Sequence, residues 1–250
     1  MQNPFVWHDL MTTDVEAATA FYKAVVGWNF SRQSSGYEVA LVGDFGVGGI
    51  MEQPTHLAGM PPFWSGYVFT PDVDAACKRV AELGGAVCRE PWDIPGTIRM
   101  AVISDPGGAV LNIMQPLSKE ERKWPAEGSA GTVGWNELHA ADLDQAWDFY
   151  SGMFSWTKGY AHDMGEKLGV YQLFQIGGKD IGGMMRKVDG MPRPVWFYYF
   201  MVDGIDGAVN RVREAGGNVV MGPHQVPGGQ WILQGSDPQE GYFSLFSNTK

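Results

Sequence analysis

The chain repeats itself, and the repeat constrains its fold more than any other feature of the 250 residues. Trp7-His8-Asp9-Leu10 returns as Trp135-Asn136-Glu137-Leu138, Asp14 as Asp142 and Phe21-Tyr22 as Phe149-Tyr150, all at an offset of 128. Gly48-Gly49-Ile50-Met51 returns as Gly182-Gly183-Met184-Met185. Trp64, Tyr67, Gly84-Gly85, Pro95-Gly96 and Asp105-Pro106 return as Trp196, Tyr199, Gly216-Gly217, Pro227-Gly228 and Asp237-Pro238, now at 132. Self-similarity over such a length means that one structural plan is used twice. The offset changes between elements, where loops accept insertions. Gln115–Gly131 separates the copies and is rich in charge, Pro and Gly. It reads as a linker, with room for a helical turn over Ser118–Lys123. The expected division is a first domain over 1–117, a linker over 118–131 and a second domain over 132–250.

Each half divides again. Asp14 caps a helix whose apolar positions Val15, Ala18, Tyr22 and Val26 follow helical spacing, with Gly27 as its stop. Asp142 opens the matching helix with Leu143, Ala146, Tyr150 and Phe154. A second helix in each half carries Val73, Ala76, Cys77, Val80 and Leu83, or Ile205, Ala208, Val209, Val212 and Ala215, and ends at a Gly pair. Short β-type runs precede each helix: Phe5–Thr12, Gly66–Thr70, Val133–Ala140 and Val195–Val202. Others follow, among them Glu38–Val42, Gly46–Met51, Ile98–Ser104 and Val110–Gln115. The unit is β-α-β-β-β, and the chain carries four of them, an α+β plan.

Composition narrows the function. Asp+Glu outnumber Lys+Arg by 28 to 18, a net charge of −10, and no basic run offsets this. Such a surface repels phosphate backbones, so nucleic acid is not an expected partner. Two cysteines, Cys77 and Cys88, make no disulfide framework, in keeping with a reducing compartment. The first residues lack a basic-then-apolar leader pattern and no apolar stretch reaches about 18 residues. The expectation is a cytoplasmic protein with no membrane partner, acting on a small molecule as a monomer or homodimer.

Four βαβββ units resemble the vicinal oxygen chelate superfamily, which includes glyoxalase I, bleomycin-resistance proteins and extradiol dioxygenases. The resemblance rests on Asp14 followed by Phe21-Tyr22, on Pro71-Asp72-Val73-Asp74-Ala75-Ala76 and on Ser104-Asp105-Pro106-Gly107-Gly108, each with a partner in the second half. Trp7-His8-Asp9-Leu10 and Gly59-Met60-Pro61-Pro62-Phe63-Trp64 are similar to a tandem-domain subgroup often named hydroxylase or glyoxalase-like. The resemblance implies that pairs of units curl into half-open barrel cups with helices outside. It also implies metal ligands on the cup wall, seven residues before the helix-capping Asp and seven after the Asp of Asp-Pro. Here the corresponding residues are Trp7, Trp135, Ser65, Phe197, Asn112 and Ser244. None is a His, Glu, Asp, Gln or Cys, so no cofactor is expected and no metal ligand is assigned. A divalent metal at off-pattern positions is the alternative.

Strand alternation shows what would line the cups. Trp7 shares a face with Asp9 and Met11, and Trp135 with Glu137 and His139. Tyr67 and Phe69 lie on the strand that opens the second unit of the first half, Phe197 and Tyr199 on its repeat, and Asn112 and Tyr242 on the last strands. These, with Trp7, Trp135 and Arg99, are the candidate ligand-binding residues. Aromatic pockets with a few convergent polar groups suit small, flat molecules. Glu137, His139 and Asp9 are the candidate catalytic residues, because a carboxylate in an aromatic cup serves as a general base or a ligand anchor. The competing reading is a carboxylate held by an indole or backbone N–H. Arg99 would clamp an anion or pair with a surface carboxylate. His8 has the opposite parity and reads as structural, and His56, His162 and His224 read as loop residues. No G-x-S-x-G or triad spacing supports nucleophilic catalysis. Three functions stay open: a metal-free binder of a small apolar or aromatic molecule, a glyoxalase-like lyase, isomerase or hydroxylase using Glu137 as base, and an interaction protein whose cups are filled by Trp7 and Trp135.

Overall fold

In the computed structural model, residues 3–118 and 123–250 are described. The helical turn expected over Ser118–Lys123 falls largely outside them. Asp14 accepts from the Ala17 N–H at 2.9 Å, and Asp142 from the Gln145 N–H at 2.8 Å. These side chains satisfy amides that a helix start leaves free, so the first helix of each half begins where the sequence places it. Gly27, in the left-handed region at φ 88°, ends the first of them.

The first half runs β1 (Phe5–Thr12), α1 (Val15–Val26), β2 (Asn29–Arg32), β3 (Glu38–Val42) and β4 (Phe45–Glu52). It continues with β5 (Phe63–Phe69), α2 (Val73–Glu82), β6 (Ala86–Ile94), β7 (Ile98–Ser104) and β8 (Val110–Pro116). The second half repeats this order. Its first unit is β9 (Val133–Ala140), α3 (Leu143–Phe154), β10 (Thr157–Asp163), β11 (Val170–Ile176) and β12 (Lys179–Arg186). Its second is β13 (Val195–Met201), α4 (Ile205–Glu214), β14 (Asn218–Gln225), β15 (Trp231–Ser236) and β16 (Tyr242–Ser247). The architecture is α+β: two eight-stranded mixed sheets and four helices. One sheet contains the series β2-β3-β4-β1 and β5-β8-β7-β6, the other β10-β11-β12-β9 and β13-β16-β15-β14. In every series the strand before the helix pairs in parallel with the last strand of its unit, as β1 with β4 and β13 with β16.

Packing cuts across the sequence halves. One compact unit consists of residues 3–6, 66–118 and 136–197; the other consists of 7–65, 123–135 and 198–250. Each therefore draws βαβββ elements from both copies. In the second of these units, α1 packs on α4, and Tyr22, Trp28, Trp64, Phe200 and Phe243 form an edge-to-face cluster with ring centres 4.6–6.0 Å apart. Trp64 Nε1 donates to the Tyr22 hydroxyl at 3.1 Å, and that hydroxyl donates to Asp237 Oδ2 at 3.1 Å. In the first unit, α2 packs on α3; Trp156 stacks on Tyr150 and Phe174, and Trp196 meets Tyr150 and Phe174 edge-on. Trp196 Nε1 donates to the Tyr150 hydroxyl at 3.0 Å, and that hydroxyl bonds Asp105. A Tyr from one copy thus meets the Asp of Asp-Pro from the other in both units. Burial pushes the carboxyls of Asp105 and Asp237 above their ordinary range. Burial of large aromatic side chains is worth about 1.5–3 kcal/mol each, and edge-to-face pairing adds to it.

Candidate functional site

The residues singled out on β1 and β9 are held by a Tyr and a Gly pair in both halves. Asp9 on β1 lies opposite Gly49 on β4, and Glu137 on β9 opposite Gly183 on β12. Tyr37 precedes β3 and shares the parity of Val39, the register partner of Gly49. Tyr171 on β11 shares the parity of Leu173, the partner of Gly183. Each Tyr ring therefore crosses the glycine diagonally to reach the acid on the next strand. A Cβ at Gly49 would stand 2.0 Å from the Tyr37 hydroxyl oxygen, and one at Gly183 would stand 2.3 Å from the Tyr171 ring. Only glycine leaves that space. The Gly pairs, read from sequence as turn or bulge formers, do lie beside a register shift in each sheet, but their second members serve to admit the Tyr.

In the first half, Asp9 is 5% exposed, and its Oδ1 accepts from Trp7 Nε1 at 2.8 Å and from the Tyr37 hydroxyl at 2.6 Å. Trp7 Nε1 also reaches the Tyr37 hydroxyl at 2.8 Å. This is the indole-held carboxylate of the competing reading. In the second half, Tyr171 donates to Glu137 Oε2 at 2.8 Å, while His139 Nε2 lies 2.9 Å from Glu137 Oε1. Both side chains are 12% exposed. With Nε2–H donating, Nδ1 is the acceptor nitrogen; it is buried and has no partner among the described residues. Phe197 packs edge-on against the His139 ring at 5.0 Å. Met11 stands in the first half where His139 stands in the second. Both acids thus accept from a phenol; Asp9 also accepts from the Trp7 indole, and Glu137 also bonds the His139 imidazole.

The remaining candidates separate. Tyr67 is buried beside Asn112 in register, and Asn112 Nδ2 donates to the Gly66 carbonyl at 3.3 Å. Phe69 ends β5, and Trp135, half-buried, lies on β9. Tyr199 and Tyr242 both hydrogen-bond Gln234, at 2.7 Å each. Arg99 is committed elsewhere: its guanidinium grips Asp74 of α2 through two bonds, at 2.8 and 2.9 Å, and Asp93 of β6 at 2.6 Å. These bonds raise the Arg99 pKa and lower that of Asp74, so the arginine forms the carboxylate pair. His8 is buried against Tyr198, as its parity implies. His162 and His224 lie on the edge strands β10 and β14 and not in loops; those strands are largely exposed and lack alternation, which hid them. A cleft of about 470 Å³ is lined by Asp14, Arg32, Tyr37, Met51 and Glu52, and one of about 510 Å³ by Leu83, Pro106, Gln145 and Phe149. Neither includes Asp9 or Glu137. Sequence reading missed Tyr37, Tyr171 and Gln234. The two tyrosines recur at an offset of 134, the same as the Gly pairs, and that shared offset is the signal that could have found them.

A model of the Glyoxalase/Bleomycin resistance protein/Dioxygenase superfamily matches residues 4–113 and again 132–243. The chain belongs to that superfamily. CFP32 of Mycobacterium tuberculosis, named as a candidate glyoxylase, is 32% identical over 248 residues, covering 96% of this chain and 92% of its own. The anthracycline biosynthesis protein DnrV of Streptomyces peucetius is 32% identical over 251 residues, covering 90% and 86%. Among solved structures, the Mn(II)-bound glyoxalase of Novosphingobium aromaticivorans matches with a TM-score of 0.71 at 14% identity, over 100% of this chain and 83% of that one. The trihydroxybiphenyl dioxygenase of Sphingomonas wittichii matches at 0.70 and 10% identity, over 99% and 91%. At such identities the likeness is one of fold.

The donor set does not fit the ion that this superfamily suggests. The positions that the resemblance assigns to its ligands hold indole, phenyl, carboxamide and hydroxyl groups. Among the described residues no three His, Cys, Asp or Glu side chains gather in a group able to hold a metal. Glu137 and His139 are two donors, where three or four protein ligands are usual. No chemical step is therefore routed through a metal.

Proposed function

We propose that this member of the superfamily binds a small apolar or aromatic molecule in its second half, around Glu137, without the family's metal ion. The observation that carries the reading is the difference between the two acids. Asp9 gives one oxygen to both an indole and a phenol, a fixed structural bond pattern. Glu137 offers one oxygen to Tyr171 and the other to His139, with Phe197 beside them. A half-buried carboxylate and imidazole among aromatic rings recognise a polar group on an otherwise apolar ligand. The relatives named for anthracycline biosynthesis support a flat, polycyclic aromatic ligand. Bleomycin resistance in the superfamily's description supports sequestration as a function of the fold. The same reading places the protein in the cytoplasm, as a monomer or homodimer, with neither nucleic acid nor membrane as partner. Among the described residues no helix is long and apolar enough to cross a membrane.

A second reading follows from the Glu137–His139 contact. A carboxylate oriented by an imidazole N–H is able to take a proton from a bound substrate and hold it, the action of a lyase, isomerase or hydroxylase with Glu137 as base. Thermal melts of the purified chain against glycopeptides, flavonoids and hemithioacetals test the first reading. A rise in Tm with one class supports it, and no shift with any class favours an interaction protein with filled cups. Glu137→Gln separates binding from catalysis: if turnover of a dicarbonyl or aromatic substrate disappears while affinity survives, the enzyme reading replaces the binding one.

A further inference from the structure

Of the four edge strands among the described residues, three carry a barrier to further pairing. β2 has four residues, β6 contains Pro91 and β14 contains Pro223. Short length and proline are usual means of stopping a sheet edge from taking on another strand. β10 ends its sheet with seven residues, largely exposed, and no proline. Beyond it the Met164 N–H bonds the Gly169 carbonyl at 2.8 Å, and the ladder continues with Asp163 opposite Val170, His162 opposite Tyr171 and Ala161 opposite Gln172. Antiparallel ladders alternate bonded and unbonded pairs, so Ala161 and Asp163 turn their N–H and C=O groups away from β11. Lys158, Ala161 and Asp163 pair with Phe174, Gln172 and Val170, alternate residues of β11, which places all three on one face of the sheet. On that face Lys158 Nζ lies 5.0 Å from the centre of the Trp147 ring of α3. Tyr160, 69% exposed, meets the His162 ring edge-on at 4.7 Å.

We propose that β10 is a dimerisation edge: two copies of the chain join their β10 strands antiparallel about a two-fold axis. The occupant is a second copy because the strand complements itself. Lys158 stands near its start and Asp163 at its end, both exposed and on the same face. A two-fold axis through the middle of the strand keeps that face common to both copies and sets each lysine beside the partner's Asp163. The Asp163 carboxylate is held for this by its turn, since Oδ1 accepts from the Gly165 N–H at 2.9 Å. The same axis brings two Tyr160–His162 pairs together. Opposite charges and aromatic rings facing across strands each stabilise a pairing. With His162 neutral the strand has no net charge, which suits self-contact in a chain that carries −10. The dimer edge stands apart from the ligand reading and does not depend on it.

Sedimentation velocity of the intact chain over a rising concentration series tests this, together with hydrogen exchange at low and high concentration. The mass should rise toward that of two chains, and the amides of Ala161 and Asp163 should exchange more slowly in the dimer. Ala161→Pro removes an outward N–H without touching the β11 ladder and should leave a monomer. Lys158→Asp or Asp163→Lys sets like charges together at both ends and should weaken dimerisation about tenfold or more. The double variant restores opposite charges and should recover most of that loss. A chain that stays monomeric at every concentration, a dimer that survives Ala161→Pro, or a double variant no better than the single ones overturns the proposal. The exchange result needs no substitution and decides the matter where a variant does not fold: unchanged rates at Ala161 and Asp163 in a dimer overturn the assignment of its edge.

Discussion

Substituting Gly183 with Ala should disable Tyr171 without touching it. The new Cβ would stand 2.3 Å from the Tyr171 ring, and the ring, being the end of a flexible side chain, would swing away. The bond lost is the 2.8 Å contact to Glu137 Oε2, which leaves a carboxylate oxygen without that partner. A hydrogen bond to a charged group contributes about 1.5–3 kcal/mol. Replacing Gly by Ala in a strand returns roughly 0.5–1 kcal/mol of backbone entropy. The net loss is about 1–2 kcal/mol, which for a chain of this size lowers Tm by about 2–8 °C. Tyr171→Phe should cost about the full bond, and the double variant should be no less stable than Tyr171→Phe alone, because both changes remove one interaction. Chemical denaturation of the four proteins measures the cycle. Additive losses would refute the claim that Gly183 exists to seat Tyr171.

Asp9→Asn should destabilise the protein by about 1–3 kcal/mol, since it weakens two bonds on one buried oxygen, yet leave ligand affinity in the second half unchanged; denaturation and titration together check this. Asp237→Asn should flatten the pH dependence of stability. Burial raises the Asp237 carboxyl above 3.8, so the folded chain holds that proton to higher pH than the unfolded one, and this contribution to stability falls as pH rises through the window above 3.8. Urea midpoints across that window should therefore fall with rising pH for the wild type and stay nearly level for the variant. Arg99→Ala should leave small-molecule affinity unchanged in titration, because its guanidinium already serves Asp74 and Asp93.

Much of the fold was legible because duplication supplied an internal control. Phe5–Thr12, Glu38–Val42, Ile98–Ser104 and Val133–Ala140 are strands with the bounds expected, and Asp14, Asp142 and Gly27 act as the caps and stop they resemble. Spacing does not report which helical faces meet, however. The pairing of α1 with α4 and α2 with α3, sealed by Tyr22–Asp237 and Tyr150–Asp105, depends on contacts between residues more than 40 positions apart. The site was half legible. Alternation put Glu137 beside His139 and Asp9 beside Trp7, and those pairs do bond. Tyr37 and Tyr171 escaped because each reaches its acid across an intervening strand, where only register reveals the approach. The carboxylate pair weighed for Arg99 is present, but its partner Asp74 lies 25 positions away, which spacing does not name.

The account rests on a small molecule being held by Glu137 and its neighbours with no ion between them. The most direct measurement is ligand titration of the chain before and after exhaustive chelation, with metal content determined on the same samples. The account predicts equal affinity in both, at a metal content well below one per chain. Affinity that vanishes on chelation and returns with added manganese, iron, nickel or zinc would contradict it.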